Sequence, residues 1–338
     1  MLRQLLLIPF LTIPGGATLA KTEPPAPATP PMDWNKAVDN FAHKMARKHG
    51  WDSRKLIQQL HKARYQKSII DAMNRPAEGM PWHGYRKIFI KPKRIEGGVR
   101  FWRENHALLE RAEKKWGVPP QIITAIIGVE TYYGDNAGKY RVLDALGTLA
   151  FAYPKRATFF AKQLDEFLQL HREEKIDLFD SLGSYAGAMG MPQFIPSSYR
   201  AYAVDFDDDG KRDLLHSTAD VIGSVANYFA QHGWKRGQPV ALRLRPDQIP
   251  TKVSDDMKPN IPLTRFTAKG VKLPEGAKPS DLGSLISLEQ KNGMEHWLGL
   301  RNFYVITRYN HSNLYAMAVY QLSEKILEKM QDDDKHDH

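Results

Sequence analysis

Apolar residues recur at helical spacing over most of the chain. A first helix is predicted by apolar side chains three and four residues apart, namely Trp34, Val38, Phe41 and Met45. A second helix is predicted after Gly50, with Asp52 or Ser53 as its N-cap. The pattern is again helical from 82 to about 234, where loops with glycine and proline interrupt it, and it returns from 314 to 330. The chain is therefore predicted to be mainly α-helical.

One segment departs from this pattern. Between residues 236 and 299 there are seven prolines, and apolar Val240, Leu242 and Leu244 alternate with other residues. Alternation with a period of two indicates a β-strand. We therefore predict a mainly α (α+β) fold divided in chain order into a helical subdomain at 34–78, a core at 79–235, a small β-rich subdomain at 236–299, a return to the core at 300–330, and a polar, disordered tail at 331–338.

The N-terminus has the features of an export signal. Arg3 provides the positive charge, residues 5–13 are apolar, and small residues lead to a cleavage position after Ala20. Residues 21–33 are rich in proline and are expected to form a stiff linker. The apolar run is shorter than the roughly 20 residues that span a bilayer. We expect a cleaved signal peptide and a soluble protein outside the cytoplasm, with an uncleaved anchor as the alternative.

Charge and cysteine content narrow the possible functions. The chain has no cysteine, which excludes disulfides, thiolate zinc sites, cysteine nucleophiles and a lipid-modified cysteine. Its net charge of +10 is compatible with nucleic acid, an anionic membrane surface or an acidic polymer such as a cell wall. Export makes nucleic acid the least expected of these partners. A basic, solvated surface with no specific partner is the alternative.

The segment from Val118 to Gly134, VPPQIITAIIGVETYYG, contains a candidate catalytic acid. Pro119 and Pro120 suit the start of a helix, and the residues that follow are apolar almost all round, so the helix should be buried. Glu130 is the first charged residue after Lys115 and lies on this apolar surface. Burial raises the pKa of a carboxyl group, as a general acid requires. The alternatives are a buried glutamate paired with Arg or Lys, and one at the helix end that reaches water.

The segment from Gly183 to Tyr199, GSYAGAMGMPQFIPSSY, is a candidate binding loop. Its many small residues allow the backbone to approach a ligand closely. Ser184 and Gln193 offer polar contacts, and Phe194 offers an aromatic face for a sugar. The alternative is a glycine-rich turn between helices, in which Ser197 caps the next helix.

A third segment, DFDDDGKRDLLHSTAD at 205–220, is a candidate Ca²⁺ loop. Asp205, Asp207 and Asp209 occupy positions 1, 3 and 5 of an EF-hand-like loop. Lys211 would provide its carbonyl at position 7. At position 12, His216 stands where a bidentate glutamate is usual. The alternative is a solvated acidic turn. We expect any bound Ca²⁺ to be structural, because the loop contains no catalytic group, and we expect no cofactor for catalysis.

Taken together, these segments resemble the lytic murein transglycosylase B family. The resemblance rests on GVETYYG at 128–134, YPKRATFF at 153–160, GSYAGAMGMPQFIPSSYRAYAVD at 183–205, IGSVANYF at 222–229 and ITRYNHSNLYAMAV at 306–319. It covers nearly the whole chain after the export signal. It implies a lysozyme-like helical core, flanked by an α subdomain and carrying a small β subdomain.

The resemblance also implies roles for individual residues. Glu130 would be the sole catalytic acid and base, and Ser184 would contact the substrate near the reacting sugar. Gln193 and Asn310 would be polar partners in the same cleft. In the family's basic pair, Lys155 stands where we expect Arg before Arg156, which weakens the case for bidentate carboxylate binding there. The family's metal loop closes at a later aspartate, here Asp220. The expected aromatic lining is Tyr85, Phe194, Tyr228, Tyr309 and Tyr315, with ordinary packing as the alternative for each tyrosine.

The resemblance implies a peptidoglycan lytic transglycosylase that forms 1,6-anhydromuramyl ends. A lysozyme-type hydrolase on the same core and a non-catalytic peptidoglycan-binding protein are the alternatives. We expect a periplasmic monomer that binds glycan strands, with other cell-wall enzymes as possible partners and without nucleic acid or a stable membrane anchor.

Overall fold

The computed structural model describes residues 29–74 and 80–336. These residues form a mainly helical protein with small antiparallel sheets, as the hydrophobic pattern predicts. The helices are α1 (Trp34–His49), α2 (Ser53–Leu60), α3 (Lys67–Asn74), α4 (Trp82–Phe89), α5 (Pro92–Glu104), α6 (His106–Trp116), α7 (Pro120–Thr131), α8 (Val142–Ala152), α9 (Ala157–Glu173), α10 (Pro196–Tyr202), α11 (Thr218–Gln231), α12 (Thr264–Thr267), α13 (Arg301–Tyr309) and α14 (Asn313–His336). The strands are β1 (Tyr140–Arg141), β2 (Leu182–Gly183), β3 (Ala241–Leu244), β4 (Ile261–Pro262), β5 (Leu282–Gln290) and β6 (Gly293–Gly299).

The described chain forms two compact units. The first unit comprises residues 80–133 and 219–336, and the second comprises residues 29–74 and 134–218. In the first unit, α7 is buried along its length and packs against α5, α6 and α14. In the second unit, α8 packs against α9 and α1. The domain boundaries proposed from the sequence follow composition and stay a prediction.

The β-rich part belongs to the first unit and is one antiparallel sheet of four strands in the order β3-β6-β5-β4. Its long hairpin pairs β5 with β6 in a register that places Ile286 opposite Trp297. A separate apolar cluster that includes Leu263, Phe266 and Leu298 fills one side of the sheet. The alternating residues at 240–245 predicted this β structure, and they contain β3.

The first two helices begin as predicted. The four apolar residues that predicted α1 are all buried. Asp52 is the N-cap of α2, where its side chain accepts a hydrogen bond of 2.8 Å from the backbone N–H of Lys55. This bond satisfies one of the free N–H groups of the first turn and explains why the helix begins there.

The C-terminal helix is longer than predicted. We expected it to end at Met330, followed by an unpacked tail, but α14 continues to His336. Asp333 accounts for the difference, because it forms ion pairs with Lys329 one turn earlier and with Arg103 of α5. The run of charged residues after Met330 was therefore not sufficient to locate the end of the helix.

The predicted export signal and most of the proline-rich linker lie outside the described residues. Within the described part of the chain, none of the helices combines the length and the apolar character needed to cross a membrane.

Candidate active site

Glu130 lies in the last turn of α7, on the most buried helix of the first unit. The helix begins at Pro120, after Pro119, as the sequence predicted. Residues 122–131 are all buried, and Glu130 itself is 9% exposed. A carboxyl group in this position has lost most of its hydration, which disfavours its charged form.

The burial of Glu130 changes its chemistry. It raises the pKa of this carboxyl group to about 8, so the group holds its proton at neutral pH. The hydroxyl of Tyr315, on α14, donates a hydrogen bond to Oε1 of Glu130, and this bond works against the shift by stabilising the carboxylate. The partner of the glutamate is thus a tyrosine. In the described residues it is not the Arg or Lys that the packing alternative required, and that alternative is wrong.

Three tyrosines of the first unit lie close enough to Glu130 for its charge to affect their pKa values. Burial and the charge of Glu130 both raise the pKa values of Tyr85, Tyr309 and Tyr315 above the usual value for tyrosine. The ring of Tyr309 lies 4.9 Å from that of Tyr228, whose hydroxyl donates a 2.6 Å hydrogen bond to the carbonyl of Arg308. The tyrosines next to Glu130 are uncharged, and burial remains the main cause of its raised pKa.

The structure corrects part of the expected aromatic lining. Tyr85, Tyr228, Tyr315 and Phe194 are each at most 5% exposed, so their ring faces are not open to a stacked sugar. For the three tyrosines, the packing alternative describes the structure, and Phe194 is buried as well. Tyr309 is half-buried and keeps part of its surface accessible.

Asn310 directly follows α13 in the first unit and is buried. Its backbone carbonyl accepts a hydrogen bond of 2.7 Å from the N–H of Ser312, which fixes the turn into α14. The helix that carries Tyr315 therefore starts from the same turn that holds Asn310.

In the second unit, Ser184 organises the glycine-rich loop after β2. Its Oγ accepts hydrogen bonds from the backbone N–H groups of Ala188 at 3.0 Å and Ala186 at 3.3 Å. Gly187 has φ +76°, and a Cβ there would lie 2.4 Å from Leu146. Glycine at position 187 is therefore required by the tight turn itself.

Gln193 and Phe194 lie at the other end of this loop. Gln193 has φ +52°, and its Nε2 donates hydrogen bonds of 2.9 Å to the carbonyls of Ala137 and Gly190. Both amide protons are thus engaged within the second unit. Ser197 does not cap the next helix, because α10 has no side-chain cap and the N–H of Ser197 donates to Gln163.

The basic pair precedes α9 in the second unit. Lys155 is exposed, whereas Arg156 is half-buried with its guanidinium 4.4 Å from the ring centre of Phe159. A stacked guanidinium is held in one orientation, and a lysine on a flexible stem is not. The two residues therefore offer an anion different geometries.

The acidic loop of the second unit brings three carboxylates close together. Oxygen atoms of Asp205, Asp207 and Asp209 lie within 4.8 Å of one another. Asp205 accepts hydrogen bonds from the N–H groups of Asp209 and Gly210, and Gly210 has φ +87°. The loop is thus bent around its carboxylates, and oxygen ligands of this kind suit Ca²⁺. Asp220 is fully buried in the first turn of α11, in the first unit.

Sequence reasoning named Tyr315 as a lining residue and missed its bond to Glu130. A signal was present, because Tyr315 follows Leu314 and precedes an apolar run, Ala316 to Val319, in a helix that had to be buried. A buried tyrosine hydroxyl needs a hydrogen-bond partner. No local pattern identifies Glu130, 185 positions earlier, as that partner.

Known proteins resemble this chain over most of its length. It is 42% identical over 302 residues to membrane-bound lytic murein transglycosylase B of Escherichia coli, covering 86% of this chain and 83% of that protein. The solved soluble lytic transglycosylase SltB1 of Pseudomonas aeruginosa is 47% identical, with a TM-score of 0.80 and coverage of 86% of this chain and 98% of that one. The Escherichia coli lytic transglycosylase Slt35, solved in complex with calcium, is 42% identical, with a TM-score of 0.80 and coverage of 87% and 93%.

The family described as the transglycosylase SLT domain matches residues 33–324, which include α7, the acidic loop and the β-rich part. The identities and the shared fold agree with that match. The chain belongs to the transglycosylase SLT domain family.

Proposed function

We propose that this protein is a peptidoglycan lytic transglycosylase in which Glu130 acts first as an acid and then as a base. The observation that carries the proposal is the buried Glu130 carboxyl group, whose pKa of about 8 keeps it protonated at neutral pH and whose Oε1 accepts from Tyr315. Membership of the family and the lytic transglycosylases among the similar proteins support the same reaction.

In the first step, Glu130 gives its proton to the oxygen that joins N-acetylmuramic acid to N-acetylglucosamine. The glycosidic bond breaks, and the N-acetyl group of the muramyl sugar stabilises the cation that develops. The Glu130 carboxylate then takes the proton of the C6 hydroxyl, whose oxygen closes a 1,6-anhydro ring. One carboxyl group serves both steps, and no water is consumed.

The surroundings of Glu130 suit a single-carboxylate route. In the described residues of the first unit, burial and the Tyr315 hydroxyl account for the shift of its pKa. Two-carboxylate glycosidases place a second Asp or Glu close to the acid, where its charge also affects the pKa of the acid. The hydroxyl of Tyr315 donates to the carboxylate and stabilises it once it has lost its proton.

We also propose substrate-binding roles for residues of both units. In the first unit these are Tyr85, Tyr228, Tyr309, Asn310 and Tyr315, of which the buried tyrosines would act by shaping the surroundings of Glu130. In the second unit they are Lys155, Arg156, Ser184 and Gln193. Ser184 is the best supported of the second set, because its hydroxyl is held in a fixed direction by two backbone N–H groups.

We infer that the acidic loop holds a structural Ca²⁺. Asp205, Asp207 and Asp209 would provide carboxylate oxygens and Lys211 its carbonyl. Asp220 as the closing ligand stays a prediction from the family resemblance. The close approach of the first three side chains supports this assignment, as does the calcium complex of Slt35. The ion would stabilise the loop, and no step of the reaction requires it.

We propose that the protein is exported to the periplasm. There it would act on glycan strands as a soluble monomer, without nucleic acid as a partner. The basic charge supports an anionic polymer as the target. Other cell-wall enzymes are candidate partners.

The decisive experiment is digestion of purified sacculi by the wild-type protein and by Glu130→Gln, with mass spectrometry of the products. We expect anhydromuramyl ends from the wild type, and a loss of about 10²–10⁴-fold in rate for the variant. Glu113→Gln is the matched control, because burial also raises the pKa of that glutamate on α6. Reducing muramyl ends would indicate a hydrolase, and an absence of soluble products would indicate a binding protein.

A further inference from the structure

The residues that follow Glu130 have an unusual backbone. Tyr132 and Tyr133 both have left-handed φ angles, +55° and +63°. Residues other than glycine rarely adopt this conformation, because it is sterically unfavourable for a residue with a Cβ atom. The N–H of Tyr132 donates to the carbonyl of Gly128, and that of Tyr133 to the carbonyl of Ile127, as at a helix end where glycine is usual. Other contacts must therefore hold this end of α7.

The ring of Tyr133 occupies a slot made by three glycines. A Cβ added at Gly97 or Gly98 of α5 would lie 2.9 Å or 2.7 Å from Tyr133, and one at Gly128 of α7 would lie 2.5 Å from it. Real Cβ atoms do not approach other heavy atoms so closely. Glycine within a helix is less favourable than alanine, so its presence there needs a reason. At Gly97 and Gly128, where Tyr133 is the nearest neighbour, the ring explains why glycine is present.

Further contacts fix Tyr133 and its neighbour Tyr132 against α5, and Arg94 of α5 is itself held by α4. The Tyr133 hydroxyl donates a 2.7 Å hydrogen bond to the carbonyl of Arg94, and its ring stacks on Phe101 at 5.7 Å. The guanidinium of Arg94 lies 5.0 Å from the ring centre of Tyr132 and 5.3 Å from that of Phe89. The same guanidinium donates from Nη1 to the carbonyl of Ile88 at 2.6 Å. The ring of each left-handed tyrosine is thus held by residues of α5.

We propose that Tyr133 is a positioning residue for Glu130. Gly128 and Tyr133 bracket the glutamate along the chain, two residues before it and three after it. Fixing Tyr133 in its slot holds the last turn of α7 against α5, while α14 presents the Tyr315 hydroxyl to the carboxyl group. Without the ring, the strained end would unwind, and Glu130 would move away from Tyr315 and towards water. The inference rests on the proposed role of Glu130 as acid and base.

The test compares kcat, KM and the pH dependence of kcat in Tyr133→Leu, Tyr133→Phe and Gly97→Ala. We expect kcat to fall about 100-fold in Tyr133→Leu, as small displacements of a catalytic group do, with KM nearly unchanged. Tyr133→Phe keeps the ring and should retain most of kcat. The basic limb of the pH profile is the fall in kcat at high pH. In Tyr133→Leu and Gly97→Ala this limb should move from near pH 8 towards lower pH, because a carboxyl group that reaches water ionises more readily.

Tyr304→Phe is the matched control, because Tyr304 is a half-buried tyrosine of α13 in the same unit. The proposal would be overturned if folded Tyr133→Leu had the wild-type kcat and an unshifted basic limb. It would also be overturned if kcat fell in Gly97→Ala without a shift of that limb. If Tyr133→Leu does not fold, Gly97→Ala and Tyr133→Phe decide the question by the same readouts. An active Glu130→Gln would instead reject the catalytic assignment, so the two failures are distinguishable.

Discussion

The hydroxyl of Tyr315 donates its hydrogen bond to the carboxyl group of Glu130, and the two residues come from helices α14 and α7. Burial and this hydrogen bond act on the glutamate in opposite directions. Burial favours the protonated acid that starts the reaction, and the tyrosine favours the carboxylate that completes it. A group that must release and then recover a proton benefits from such a balance, because efficient proton transfer requires a pKa near the working pH.

Removing the tyrosine hydroxyl should upset this balance. In Tyr315→Phe we expect the pKa of Glu130 to rise further, since a bond that stabilises its carboxylate is lost. The basic limb of the kcat profile should move to higher pH, and kcat at neutral pH should fall about tenfold, equivalent to ~1.4 kcal/mol. Initial rates on sacculi between pH 5 and 10 measure both effects. A limb that moves to lower pH would contradict this account of the pair.

The wild-type enzyme should lose activity as the pH rises through about 8. Glu130 must carry its proton when the glycosidic bond breaks, and its pKa of about 8 sets the limit. Initial rates of lysis at saturating substrate give the apparent pKa directly. If the rate instead falls near pH 4.5, the usual pKa of a glutamate, the carboxyl group is exposed when substrate is bound.

Glu130 should also lower the stability of the protein as the pH rises from about 4.5 to about 8. Its pKa is higher in the folded state, about 8, than the 4.5 expected for an unfolded chain. Between these values the folded protein retains the proton and the unfolded chain releases it, so the free energy of unfolding falls as pH rises. Glu130→Gln removes this dependence and should be the more stable protein at pH 8, by on the order of a few kcal/mol.

Denaturant unfolding of both proteins at pH 5 and pH 8 measures the difference. The advantage of Glu130→Gln should grow between the two pH values. An advantage that is the same at both would show that desolvation of the carboxyl group is not its cause.

Calcium should raise the melting temperature without changing the reaction. Saturation at 100 times Kd stabilises a folded protein by about 2.7 kcal/mol. Asp209→Asn should abolish this gain, because Asp209 belongs to the carboxylate cluster. Asp208→Asn is the control with the same change of charge, since Asp208 is exposed and lies outside the cluster. Equal responses of the two variants to calcium would count against the site.

The sequence predicted features that depend on neighbouring residues. The apolar run after Pro120 predicted a buried helix and a glutamate with a raised pKa, and Asp52 predicted the start of α2. Local patterns are sufficient in such cases, because a helix repeats its contacts every three or four residues. The family resemblance rested on longer segments, and the match to the family over residues 33–324 confirms it.

Other features depend on contacts between distant segments. The bond between Glu130 and Tyr315, the slot for Tyr133 and the ion pairs of Asp333 each join helices that are far apart in sequence. A tyrosine in an apolar helix shows that its hydroxyl needs a partner, but only packing selects that partner. The left-handed tyrosines were missed for the same reason, since their contacts with α5 offset an unfavourable backbone conformation.

The turn at Ser184 restricts what this residue can recognise. A serine hydroxyl has two lone pairs and one proton, and two backbone N–H groups already occupy the lone pairs. Ser184 can therefore only donate, and any ligand atom that meets it has to be an acceptor, such as an amide carbonyl. In the substrate-binding role proposed for it, Ser184 would thus favour an acetylated amino group, whose carbonyl accepts a hydrogen bond, over a protonated amine, which can only donate.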